Sequence, residues 1–277
     1  MRVEVMRFPI AWLVALTFTG CYPAQPSRRE TVEKAIIPLL EVSHTKAQSA
    51  GIPPRAALRE ISGITFEGVD FDSRNHRLVV ADQPGGPGSR YVDAASAARA
   101  LGGIAGINAG FFTPEGAPLG LVITSGKISG SWNSASSLGS GVWHENSVGK
   151  SAIIRREKLG HLGAAAMREL IQAGPLLVEN KRTVSGLEAT KSSARTVILW
   201  DGATRWWIGC STPCTLAALG EALATGSPSG WQVHGALNLD GGRSSDVWVS
   251  ASVTDGPINK RPSWNRPVRN FLVLVAK

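Results

Sequence analysis

Three observations predict an α+β fold, a single domain with a mixed, largely antiparallel sheet flanked by helices. Short apolar runs with strand alternation outnumber helical patterns along the chain. Several of these runs are joined by tight turn signals such as Ser125-Gly126 and Asp201-Gly202, which favour antiparallel neighbours. Strands and helices do not alternate strictly, as a parallel βαβ sheet would require.

The elements follow in chain order. Residues 1–20 read as a signal peptide, with Arg2 and Arg7 beside the brief apolar core "FPIAWLVALTFTG", which is short for a bilayer span. The order Phe18-Thr19-Gly20-Cys21 resembles a bacterial lipobox, which implies acylation at Cys21. Tyr22, rather than Asp, in that position implies an outer-membrane lipoprotein facing the periplasm. Residues 21–58 are polar and Pro-containing, as a lipid-anchored tether is, with a short helix around "RETVEKAIIPLLEVSH". The folded body is assigned to residues 59–277.

Within the body, "ISGITFEGVDFDSRNHRLVVADQ" reads as a hairpin turned at Asp-Ser-Arg-Asn. A helix follows at "VDAASAARAL", closed by Gly102-Gly103. The strand "IAGINAGFF" comes next, and then the hairpin "PLGLVITSGKISG". "AAAMRELIQAG" has a helical pattern, "PLLVEN" and "RTVILWDGATRWWIGC" supply strands, and "TLAALGEALAT" is a helix. "ALNLDGGRSSDVWVSA" and "VRNFLVLVA" provide the last strands.

With 277 residues, 43% hydrophobic and 18% charged, the chain can bury one large core. Its 31 Gly and 16 Pro show no period, which points to turns and functional loops. The formal charge of +8 favours anionic partners such as phosphate esters, acidic glycans or headgroups. The basic residues are scattered and form no recognisable nucleic-acid module, so nucleic acid is not an expected partner. Setting Cys21 aside leaves Cys210 and Cys214, close enough in sequence to form a disulfide, with buried thiols as the alternative. Thr212 and Pro213 read there as a helix start, which would put Cys214 in the first turn.

Two stretches share one plan. "GINAGFF" around Asn108 and "ALNLDGG" around Asn238 each place an Asn in an apolar strand just before glycines. Such strand ends let a ligand approach the backbone, and together they can make one pocket; alternatively each Asn only satisfies a turn. Asp240 is the carboxylate these ends present, either to a ligand or as an Asx cap of its own glycine loop. Gly241 and Gly242 clear space. Ser244, Ser245 and the loop amides offer hydrogen bonds to phosphate or sugar hydroxyls. Arg195, Arg243 and Arg269 are candidate phosphate-binding forks, with surface ion pairing as the plain alternative. A second carboxylate is sought among Asp70, Asp72 and Glu115; Glu115, in a loop adjoining Asn108, is preferred. The five His have no triad or metal spacing, and no metal site or cofactor is expected, although a divalent ion at Asp240 is a weaker possibility. Of nine Trp, eight follow residue 130, and Trp143, Trp248 and Trp264 are candidates for stacking on sugars.

"INAGFF", "GAPLG", "QAGPLLV", "ARTVILW" and "NLDGGRSSDVWV" occur in the order and spacing of the phosphodiester glycosidase family, and the chain resembles it over roughly residues 61–277. This family includes the eukaryotic uncovering enzyme. Arg243 stands where many members carry a small residue. The resemblance implies hydrolysis of a sugar 1-phosphodiester at the glycosidic carbon, with Arg195 matching the family's Arg-Thr; Asp240 and Glu115 are the catalytic carboxylates chosen on their own positions, at a strand end beside glycines and in the loop adjoining Asn108. On a cell-envelope glycan or glycoconjugate this describes an exported hydrolase. The alternative is a non-catalytic envelope protein that binds anionic glycans through the same pocket, and a weaker one is cleavage on the phosphorus side.

Overall fold

The computed structural model describes residues 51–277; the expected signal peptide, Cys21 and most of the tether lie outside the described residues. The chain runs through β1 (Arg55–Ile61), β2 (Ile64–Asp72) and β3 (His76–Asp82) to α1 (Ala94–Ala100) and β4 (Ala105–Asn108). It continues with β5 (Val122–Thr124), β6 (Lys127–Ser129), β7 (Gly141–Asn146), β8 (Ser151–Arg155), α2 (Arg156–Ala164) and β9 (Met167–Ala173). Then come β10 (Leu176–Glu179), β11 (Arg182–Thr183), β12 (Ser193–Trp200), β13 (Arg205–Cys214) and α3 (Leu216–Thr225). The last strands are β14 (Gly235–Asn238), β15 (Val247–Val249), β16 (Ile258–Lys260) and β17 (Asn270–Ala276).

These strands form three sheets, ordered β1-β2-β13-β12-β14-β10-β11, β16-β15-β4-β17-β3 and β6-β5-β9-β7-β8. Every ladder between them is antiparallel, and the fold is α+β as its strand-rich pattern predicts. The largest core cluster sits where the sheets meet and draws on all of them, with Phe71, Ile198 and Leu237 from the first, Ile107 and Leu272 from the second, and Trp143 and Ile171 from the third. Strand faces alternate into different cores. On β17, Leu272 and Leu274 face this centre while Phe271 and Val273 pack on Ala94, Ala97 and Ala98 of α1. On β12, Ile198 faces inward while Val197 and Leu199 meet Leu219 and Leu223 of α3. Burial on both faces explains why these strands read as near-continuous apolar runs, each large side chain contributing about 1.5–3 kcal/mol of transfer free energy.

Local signals set several elements. Asp93 caps α1 by accepting from the Ser96 amide at 2.7 Å, and the Ser96 hydroxyl oxygen accepts from the Asp93 amide at 3.0 Å, in a capping box. Ser62-Gly63 and Ser125-Gly126 turn the β1–β2 and β5–β6 hairpins with left-handed φ at both residues, as tight hairpins require.

Five expectations are corrected. The Asp72–Asn75 turn does not make a hairpin: β2 and β3 belong to different sheets, and the turn carries the chain from one to the other. Residues 167–173, expected in a helix, form β9 in the middle of the third sheet. Its inward polar residues, Glu169 and Gln172, are buried but satisfied. Glu169 accepts from the Val80 and Ser125 amides, and Gln172 exchanges bonds with Leu121, Asn133 and Gly139. The helix α3 starts after Thr215, whose hydroxyl caps it, and not at Thr212. Cys210 and Cys214 lie on one strand as free, buried thiols. Four residues of strand separate their Cα atoms by about 13 Å, far beyond disulfide reach. The body also begins earlier than residue 59, because β1 takes up Arg55–Ile61 at the end of the expected tether.

Candidate active site

The strand ends β4 and β14 belong to different sheets, and one side chain joins them. Asn108, fully buried at the end of β4, donates from Nδ2 to the Asp240 carbonyl at 2.7 Å. Its Oδ1 accepts from the Thr196 hydroxyl at 2.8 Å and from the Asp246 amide at 3.0 Å. The Asp240 amide in turn donates to the Ala109 carbonyl at 2.9 Å. Asn108 is thereby a clamp on both ends of the Asp240–Asp246 loop, with all its polar atoms engaged, rather than a group open to a ligand.

The loop leaves β14 through Asp240. At Gly241 a Cβ would stand 2.6 Å from the Ala194 carbonyl, and Gly242 has a φ of +60°, so glycine is required twice. A 3-10 turn, Gly242–Ser244, then folds Ser244 back beside Asp240. Asp240 is 9% exposed. Burial pushes its pKa up to about 6, against the Ser244 hydroxyl, the Arg266 charge and the Gly241 amide, which pull it down. Ser244 sits close enough to favour the carboxylate without meeting hydrogen-bond geometry, and its Oγ has no partner among the described residues. Two further buried atoms there are likewise unpartnered, Oδ1 of Asn238 and Nδ2 of Asn270. Asn238 otherwise donates to the Gly174 carbonyl at 2.8 Å, and Asn270 accepts from the Gly110 amide at 2.7 Å. A carboxyl poised near neutrality is thus accompanied by an unpaired hydroxyl in its own loop, an unused acceptor at the end of β14 and an unused donor at the start of β17.

The rim is basic and aromatic. Exposed Arg266 lies over the Phe112 ring, 4.9 Å from its centroid. Exposed Arg243 donates to the Trp264 carbonyl at 3.3 Å. Ser245 is buried, receives a long 3.4 Å contact from Thr196, and its carbonyl accepts from Asn265 at 3.1 Å.

Three sequence candidates are held elsewhere. Arg195 donates to the Cys214 and Lys191 carbonyls, so its fork fastens the chain at the start of β12. Arg269, 7% exposed, pairs bidentately with Asp82 at 2.8 and 3.0 Å and also holds the Gly116 carbonyl and Ser129. It anchors the loop of residues 109–121 and leaves no planar face for phosphate. Glu115 is fully exposed, the Thr113 hydroxyl and its own amide hold its carboxyl below the usual range, and no hydrogen bond or ion pair joins it to Asp240. Of the other carboxylates considered, Asp70 pairs with Arg205 and accepts from Trp231, and Asp72 pairs with Arg74. Among the stacking candidates, Trp143 is 1% exposed and Trp248 lies under Arg99, whereas Trp264 is 65% exposed.

Sequence reasoning missed Arg266, Thr196 and Asp246. Arg266 carried a weak signal in the basic "NRPVRN" stretch, but its approach to Asp240 depends on a fold of the 261–268 segment that no local pattern specifies. Among the described residues no group of three His, Cys, Asp or Glu side chains gathers as a metal site would need. A cavity of about 490 Å³ lies apart from this site, lined by Arg59, Asp70, Arg205 and Ser229 among others.

Solved structures share this fold. The zebrafish N-acetylglucosamine-1-phosphodiester alpha-N-acetylglucosaminidase catalytic domain, auto-inhibited by its pro-peptide, is 17% identical with a TM-score of 0.56, over 83% of this chain and 85% of that one. A hypothetical protein from Synechocystis is 16% identical with a TM-score of 0.56; the match covers 80% of this chain but only 61% of that one. No curated protein sequence matches the chain. The family model for phosphodiester glycosidase matches residues 72–275, which contain Asn108, Asp240 and the loop between Asp240 and Asp246. With that match over most of its length, the chain belongs to the phosphodiester glycosidase family, whose members act on phosphodiester-linked sugars.

Proposed function

We propose that this protein is an exported hydrolase that cleaves a sugar 1-phosphodiester at the glycosidic bond, on a glycan or glycoconjugate of the cell envelope, with Asp240 as its catalytic carboxyl. The observation that carries the reading is the Asp240 carboxyl itself: buried, titrating near 6, at the meeting point of two sheets, beside polar atoms that have no partner. Above about pH 6 it is a carboxylate in a poorly solvated site, able to take a proton from water or to attack the anomeric carbon. The phosphate leaves readily and needs little protonation. In the balanced step, water oxygen joins the anomeric carbon, the bond from that carbon to the phosphate oxygen breaks, and the water's protons pass to the sugar hydroxyl and the phosphomonoester. Arg266 and Arg243 supply positive charge for the departing phosphate. The free atoms of Ser244, Asn238 and Asn270 suit sugar hydroxyls or phosphate oxygens.

The basic balance of the chain, +8, supports an anionic substrate. The export signal and the Cys21 lipobox in the sequence support a place on the periplasmic face of the envelope, held at the outer membrane by lipid. The test is product analysis in oxygen-18 water with a sugar 1-phosphodiester. Label in the sugar supports glycosidic cleavage; label in the phosphate, or no turnover, overturns it.

A further inference from the structure

Trp264 is the one large aromatic side chain among the described residues that stands mostly in solvent, at 65% exposure, while Trp143, Trp206 and Trp207 are buried in cores. Its position is fixed by the catalytic loop. Arg243 donates to the Trp264 carbonyl at 3.3 Å, Asn265 donates to the Ser245 carbonyl at 3.1 Å, and the Arg266 amide approaches the Arg243 carbonyl at 3.4 Å. The segment bearing the exposed ring is therefore tied three times to the loop that carries Asp240 and Ser244, and Arg266, two residues beyond the ring, contributes charge to Asp240. The indole keeps one face open to solvent, and a flat apolar ring beside cations matches the face of a sugar in an anionic polymer. Arg243 reaches only a single carbonyl and is exposed, so its remaining donors are open.

We propose that Trp264, flanked by Arg243 and Arg266, is a specificity-determining subsite that stacks one sugar ring on the aglycone side of the scissile phosphodiester, selecting substrates whose phosphate is attached to a longer anionic glycan. This rests on Asp240 being the site of cleavage. The subsite gives the enzyme a polymer preference: a small diester meets only the groups around Asp240, while an extended one also covers the indole. A membrane surface is the other occupant such a basic, aromatic loop can take, but the three ties to the catalytic loop favour a ligand that passes through the active site.

The test compares two probes on the full chain, the methyl diester of N-acetylglucosamine 1-phosphate and the same diester carrying a trisaccharide aglycone. Trp264→Ala is expected to raise KM for the extended probe about tenfold, the equivalent of one stacking contact, and to leave kcat and KM for the methyl probe unchanged. Trp264→Phe restores most of the difference. Titrating the extended probe into wild type and into Trp264→Phe, with indole fluorescence read out, follows binding without turnover: a change in wild type that is lost in the variant supports the subsite even if neither probe is cleaved, an outcome that would count only against the cleavage reading. Equal KM effects on both probes, or no fluorescence difference, overturn the proposal. So does loss of sedimentation with phosphatidylglycerol vesicles in Trp264→Ala with unchanged kinetics, which would make the loop a membrane contact.

Discussion

The side-chain amide of Asn108 donates to the main-chain carbonyl of Asp240 at 2.7 Å, across the junction of two sheets. One end of that bond belongs to the strand leading into the loop of residues 109–121, and the other to the residue that presents the site's raised carboxyl. The position of Asp240 therefore depends on a buried amide that touches no substrate.

Asn108→Ala should strand the Thr196 hydroxyl, the Asp246 amide and the Asp240 carbonyl without partners. Urea unfolding should show a loss of about 3–5 kcal/mol. In the fraction that remains folded, turnover should fall more than kcat-neutral loosening would allow, by at least about tenfold.

The pH dependence of kcat/KM should show an acidic limb with a midpoint near 6, rising as Asp240 ionises. Arg266→Ala removes a charge that pulls the Asp240 pKa down, so the limb should move to higher pH. A limb that stays in place after this substitution would separate Arg266 from the Asp240 field.

Stability should carry the same signature with the opposite sense. Folding raises the Asp240 pKa from its ordinary 3.8 to about 6, so the native state favours the protonated form. That contribution is intact below about pH 4 and is lost as pH rises through about 6. Asp240→Asn, which mimics the protonated form, should be more stable than wild type at pH 8 by about 2–3 kcal/mol and nearly equal to it at pH 4. Guanidinium titrations at the two pH values measure the difference.

The thiols offer an independent check on the fold. Burial pushes the Cys210 thiol up to about 12, and Cys214 is raised for the same reason. Native protein should leave both unreacted with a thiol reagent, react fully in denaturant, and melt at the same temperature with and without reductant.

Much of this was legible because the signals were local. The "VDAASAARAL" run and Gly102-Gly103 announce their helix, Ser125-Gly126 and Asp201-Gly202 announce their hairpins, and the paired Asn-before-glycine strand ends announce that two loops converge. What stayed hidden depended on distant partners. Residues 167–173 look helical because Glu169 and Gln172 break strand alternation, and only amides from other loops make those polar groups tolerable in the middle of a sheet. The Asp72–Asn75 turn is a correct turn signal that says nothing about which sheet receives the chain. Arg269 looked like a phosphate fork because its sequence shows the guanidinium but not Asp82, which occupies it at 2.8 Å from 187 residues away. Arg266 went unnoticed for the converse reason: its partner carboxyl comes from another loop.

The central claim is that Asp240 performs the chemistry. The most direct measurement is kcat for Asp240→Asn on a sugar 1-phosphodiester, with the circular dichroism spectrum recorded on the same sample. A fall of at least about a thousandfold with an unchanged spectrum is the predicted result; turnover within about tenfold of wild type would contradict it and leave Asp240 as no more than the cap of its own glycine loop.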